Sequence, residues 1–131
     1  MPSLQLDVPA TYDSATKRLL AKRFGGVYAA VMQTRADLIT VSIHDLGEGA
    51  VWRCGEDDPQ PHALLMCDVR QGRPTETRAH LARQLIGVCQ EVLGWDSHRI
   101  KVEFTQHPGD EMYHPHLHGF NHDWLGDEST H

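Results

Sequence analysis

The chain runs twice through the same order of strand, helix and strand, and that repetition leaves it few architectures. Leu4-Gln5-Leu6-Asp7-Val8 alternates with period two and reads as a strand. Asp13-Ser14 offers an N-cap, and Leu19, Leu20, Phe24, Val27, Tyr28 and Val31 follow at helical spacing. Leu38 to Ile43 alternates again, with Ile39, Val41 and Ile43 on one face. The order then recurs. Leu64 to Val69 is apolar on both faces, as a central strand would be. Arg73-Pro74-Thr75 opens a second helix, with proline tolerated in its first turn. Leu81, Leu85, Ile86, Val88, Cys89, Val92 and Leu93 form its apolar stripe, and Gly94 is a natural stop. Ile100 to Phe104 closes the unit. Ile39, Val41 and Ile43 stand 61 positions before Ile100, Val102 and Phe104, whereas the strand starts Leu4 and Leu64 stand 60 apart.

Helices of about 15–20 residues suffice for a crossover, so each unit is expected to pair its two strands in parallel. The sequence therefore predicts a single α+β domain over residues 1–131, built from βαβ units at 2–46 and 62–106. Their strands form a four-stranded mixed sheet with both helices on one face. The linker from Gly47 to Gln60 is expected as a surface loop, with Val51-Trp52 as a short strand. Gly25-Gly26 inside the first helix costs roughly 1 kcal/mol each relative to alanine, which points to a close helix-to-sheet contact. The tail, 107–131, is irregular and rich in His. A sheet with one bare face must cover it, and a homotrimer with sheets turned inward would do so.

Composition narrows the partners. With 131 residues the chain supports one core. A formal net charge of −6 argues against general nucleic-acid binding, which needs a dense basic face. A small anion stays open to it, because a cleft can be locally positive. Met1 to Val8 lacks the basic start and apolar stretch of a signal peptide. The longest apolar runs, such as Ala63 to Cys67, fall far below the roughly 18 residues of a membrane span. No membrane partner and a cytoplasmic location are expected. Cys54, Cys67 and Cys89 are odd in number and scattered, which suits reduced thiols, two of them in the core.

Proline directly after Met1, a strand beginning there, two βαβ units, and entry to the second helix through Arg70-Gln71-Gly72-Arg73 together carry a resemblance. The chain resembles the tautomerase superfamily, and within it most the cis-3-chloroacrylic acid dehalogenase-like group, fused double units that assemble as trimers. The resemblance runs from Pro2 to about Trp124. It implies that Pro2, freed by removal of Met1, is a secondary amine. In an apolar pocket beside arginines its pKa falls, so the neutral amine can move a proton next to a carbonyl. Arg70 and Arg73 align with the family's two substrate-binding arginines and would grip a carboxylate and an enolate. Taken alone they also read as solvated turn residues. Tyr28 stands where the family has a positioning histidine; it fits the helix stripe with Phe24 equally well. Glu103 replaces a family tyrosine, His114 replaces the water-activating glutamate, and Leu117 replaces an arginine.

The resemblance thus implies a cofactor-independent tautomerase acting on a small anionic 2-oxo or enol acid. Three changed hydrolytic positions weigh against the alternative, a dehalogenase or hydratase of 3-haloacrylate-like acids. Two further readings stay open: a non-catalytic relative, and a metal-binding module. Alternation at His114, His116 and His118, with His122 beyond, would put three imidazoles on one face of an extended segment, a zinc or copper arrangement. The cupin-like glutamate and glycine-rich return strand are missing, so no metal is expected and one tail histidine is expected near the active site.

Overall fold

The computed structural model describes residues 2–120. In chain order it contains β1 (Ser3–Val8), α1 (Ser14–Met32), β2 (Thr40–Asp45), β3 (Trp52–Arg53), β4 (Gln60–Pro61), β5 (Ala63–Arg70), α2 (Thr75–Leu93), β6 (Ile100–His107), β7 (Tyr113–His114) and β8 (Gly119–Phe120). One sheet has the order β2-β1-β5-β6. Its outer pairs are parallel, each bridged by a helix, and its central pair is antiparallel.

The helices start and stop for local reasons. The Asp13 carboxylate accepts the Thr16 N–H at 2.7 Å, closing the open amino end of α1. In α1 the buried residues are Leu20, Phe24, Tyr28 and Met32, every fourth position. Both helices end on a left-handed residue, Gln33 (φ 53) and Gly94 (φ 78), 61 positions apart. Each donates its N–H to the carbonyl four residues back, Ala29 and Gln90. Glycine takes this backbone shape freely, whereas Gln33 is strained in it.

The helix-covered face of the sheet holds Leu4, Leu6 and Val8 from β1 and Leu65, Cys67 and Val69 from β5, all fully buried. Burial of each such leucine is worth about 1.5–3 kcal/mol. Register corrects the sequence reading by one residue. Leu6 lies opposite Leu65 and Leu4 opposite Cys67, so the internal twofold relates positions 61 apart throughout. Leu4 therefore corresponds to Leu65, not Leu64. Leu64 points to the other face, because a one-residue slip in a strand reverses every side chain. Gly25 and Gly26 need a second correction. A Cβ added at either meets nothing within 4 Å, so no close helix-to-sheet approach demands them.

The linker is more ordered than a plain loop. Trp52–Arg53 pairs with Gln60–Pro61 in a short hairpin. The tail carries a matching hairpin, β7 with β8, in which Tyr113 packs edge-on to Phe120 at 5.3 Å. Trp52 and Tyr113 again stand 61 apart. The uncovered face of the sheet is largely polar. Asp7 meets His44 Nδ1 at 2.9 Å, Ser42 meets His44 Nε2 at 3.1 Å, and Thr105 donates to Asp68 at 2.9 Å. Cys67 and Cys89 are buried and Cys54 is exposed. Among the described residues no helix is long and apolar enough to cross a membrane.

Candidate active site

Pro2 is buried, and its carbonyl accepts the Thr40 N–H at 3.2 Å, which pins the start of β1 to the start of β2. Ser3 lies opposite Asp68. One step further, the antiparallel register sets Pro2 beside the carboxyl end of β5, where the Arg70-Gln71-Gly72-Arg73 turn begins. Gly72 has φ 124, a conformation that side chains disfavour, so glycine is needed for the chain to double back here. Gln71 N–H donates to the His107 carbonyl at 2.8 Å and ties the turn to β6.

The turn buries its two arginines. Arg70 is 1% exposed and Arg73 is 9% exposed, and Arg73 Nη1 donates to the Arg70 carbonyl at 3.4 Å. These are not solvated turn residues. Burial draws the Arg70 guanidinium down to about 10, with Tyr28 acting the other way, so it keeps its charge near neutral pH. Tyr28 comes up from α1 beneath the turn. It is fully buried, and its hydroxyl has no hydrogen-bond partner among the described residues. Burial raises its pKa; Arg73 and Arg70 lie close enough to pull it back. A buried hydroxyl left without a partner is destabilising by about 1–3 kcal/mol, and such groups are rare in native folds. The sequence placed Tyr28 both in the helix stripe and near the substrate, and its location suits both.

Of the other sequence-selected residues, Glu103 lies away from this cluster, whereas His114 lies on the tail hairpin near Arg35 and Asp37, just before the start of β2. Glu103 sits on the uncovered face of β6, exposed, 3.2 Å from Lys101 Nζ. His114 is half-buried in β7; its Nδ1 accepts the His116 N–H at 3.2 Å and its ring centroid lies 4.7 Å from that of His116. Burial lowers its pKa, helped by His116 and opposed by Asp37. The tail histidines do not share one face of an extended segment. A 3-10 turn over Pro115–Leu117 intervenes and His118 is left-handed, with φ 55. Among the described residues no group of three His, Cys, Asp or Glu side chains could hold a metal ion. Residues 121–131, including His122, lie outside the described residues. Sequence reasoning missed Thr40, whose N–H holds Pro2, and Cys67, a close neighbour of Tyr28. The strand–helix–strand order of the first unit was the available signal, since a crossover sets the start of β2 beside the start of β1.

No protein-family model matches this sequence, and no curated protein does. Solved structures do. A member of the cis-3-chloroacrylic acid dehalogenase family superposes with TM-score 0.75 at 22% identity, covering 86% of this chain and 79% of that one. A fused 4-OT described as a symmetric trimer matches with TM-score 0.76 at 20% identity, over 98% of each chain. The fold is that of the tautomerase superfamily. Pt0534, solved after inactivation by 2-oxo-3-pentynoate, has the same fold, with TM-score 0.77 at 18% identity over 92% of this chain and 95% of its own. Within this tautomerase fold, the chain gathers Pro2, Tyr28, Arg70 and Arg73 at one end of the sheet.

Proposed function

We propose that the chain is a cofactor-independent tautomerase whose base is the Pro2 nitrogen after loss of Met1, acting on a small anionic 2-oxo or enol acid. The observation that carries this is the burial of Pro2, Tyr28, Arg70 and Arg73 at one end of the sheet. Two guanidinium groups and an apolar surround disfavour a further positive charge and so favour the neutral amine. It then takes the proton from the carbon next to a carbonyl. The electron pair forms the carbon–carbon double bond, and the carbonyl oxygen becomes an enolate facing the arginines. Return of the proton to that oxygen, or to a more distant carbon, completes the isomerisation and restores the amine. One arginine holds the substrate carboxylate, and the Tyr28 hydroxyl gains the partner it lacks.

The relative inactivated by a 2-oxo acid supports this substrate class, and the trimeric fused 4-OT supports assembly as a homotrimer. Dehalogenation would need Glu103 or His114 to activate water. Glu103 is engaged by Lys101 on the opposite face of the sheet, which favours the tautomerase reading. Two measurements test the proposal. The mass of the purified protein should lack Met1, and phenylenolpyruvate should be ketonised without chloride release from cis-3-chloroacrylate. Full activity with Met1 retained, or efficient chloride release, would overturn it.

A further inference from the structure

A cavity lies at the far end of the sheet from Pro2, where β5 and β6 begin. It has a volume of about 690 Å³, with Leu64 and Ile100 among its apolar lining and Trp52, Arg53, His62 and Lys101 around them. An adjoining space of about 310 Å³ shares Arg53, His62 and His98 and adds Arg99. The larger is within the range typical of small-molecule sites.

The charges here are unbalanced in a protein that is acidic as a whole. Lys101 is matched by Glu103 at 3.2 Å. The Arg53 and Arg99 side chains make no hydrogen bond or ion pair among the described residues. No acidic residue lines either cavity among the described residues. Asp96 caps the His98 N–H at 2.8 Å, and Glu56, Asp57 and Asp58 in the hairpin turn line neither cavity. Burial lowers the pKa of His62, and Arg53, Arg99 and Lys101 add to it, so three cations crowd one imidazole. Such crowding is unfavourable when empty and is relieved by an anion.

The internal repeat explains the location. Trp52 and Arg53 stand 61 positions before Tyr113 and His114, and Ile100 stands 61 after Ile39. The place of the cavity under the β3–β4 hairpin therefore corresponds to the region between the tail hairpin and the start of β2, beside Pro2. One difference separates them chemically. The position of Pro2 is filled by Ala63, whose nitrogen is a peptide amide and cannot accept a proton.

We infer that this cavity binds a small organic carboxylate with a flat apolar body, held by Arg53 and Lys101 against Trp52, Leu64 and Ile100, without converting it. It is a binding site at the blank end of the repeat, separate from the Pro2 end. The probe is phenylacetate, titrated into the full-length ¹⁵N-labelled protein and followed by amide and indole shifts. The Trp52 indole N–H, which donates to the Gly49 carbonyl at 2.8 Å, is a fixed reporter. Wild type should show shifts at Trp52, His62 and Ile100 that persist in Arg73→Ala. They should weaken about tenfold or more in Arg53→Ala and in Lys101→Gln, in keeping with loss of a charged hydrogen bond. Added salt should weaken them too. Absence of these shifts in wild type, their disappearance in Arg73→Ala, or their indifference to both Arg53→Ala and Lys101→Gln would overturn the inference.

Discussion

At one end of the sheet the fold assembles Pro2, Tyr28, Arg70 and Arg73; at the positions 61 residues away, the other end has Ala63, Cys89, Pro9 and Tyr12. The backbone frames match, but the chemistry differs at every position. Tyr28 keeps a buried hydroxyl without a partner, whereas the Tyr12 hydroxyl accepts the Trp95 indole N–H at 2.9 Å. Cys89, in the place of Tyr28, is a buried thiol pushed up to about 12 by burial, and so an inert core residue. A duplicated frame thus separates two demands. One end carries a buried cluster of polar groups, and at these four positions the other is settled as ordinary packing.

The largest expected effect breaks that comparison at its centre. Pro2→Ala leaves a primary amine of different basicity, and kcat should fall roughly 10²-fold or more, the scale of a lost general base. Steady-state ketonisation kinetics check it. Arg73→Ala comes next. Charged hydrogen bonds contribute about 1.5–3 kcal/mol, so kcat/KM should fall about 10–150-fold. Arg73→Lys should recover only part of this, because lysine lacks the planar fork.

The third prediction sets tyrosine against tyrosine. Tyr28→Phe removes a buried hydroxyl without a partner, so thermal melting should show stability unchanged or raised by up to about 1 kcal/mol while KM rises. Tyr12→Phe removes a made hydrogen bond and should cost about 0.5–1.5 kcal/mol with KM unchanged. Equal losses of stability in both would erase the distinction between the ends.

The smallest effect concerns pH. Folding lowers the pKa of both His62 and His114 below the usual 6.5, chiefly through burial. The unfolded chain therefore binds protons first as pH falls. Stability is full above about 6.5, declines as pH drops toward the folded values, and flattens below them. Denaturant melts across this window should show the decline. Arg53→Ala should reduce the part due to His62 and leave the part due to His114.

Much of this was legible in the sequence, because the repeat is written in side-chain periodicity. The apolar stripes of α1 and α2 and the two-sided apolar strand β5 follow directly from burial. The offset of the first strand was misread by one position because β5 is apolar on both faces, so Leu64 and Leu65 look alike until the antiparallel register separates them. Gly25-Gly26 misled because composition reports the flexibility of glycine but not the space around it. The burial of Arg70 and Arg73 was not readable at all. A turn sequence of charged residues normally faces water, and only the packing of α1 beneath the β5 turn reverses that. The histidine tail looked extended because its alternation ignores Pro115, which starts a 3-10 turn.

The division of the three thiols has a practical consequence. Cys67 and Cys89 are enclosed and held protonated, so maleimides and iodoacetamides should pass them by in the native protein. Cys54 stands exposed on the linker hairpin and lines the far cavity. The natural sequence therefore supplies one attachment point for a fluorophore or spin label, at the end of the molecule remote from Pro2, with no engineered cysteine required.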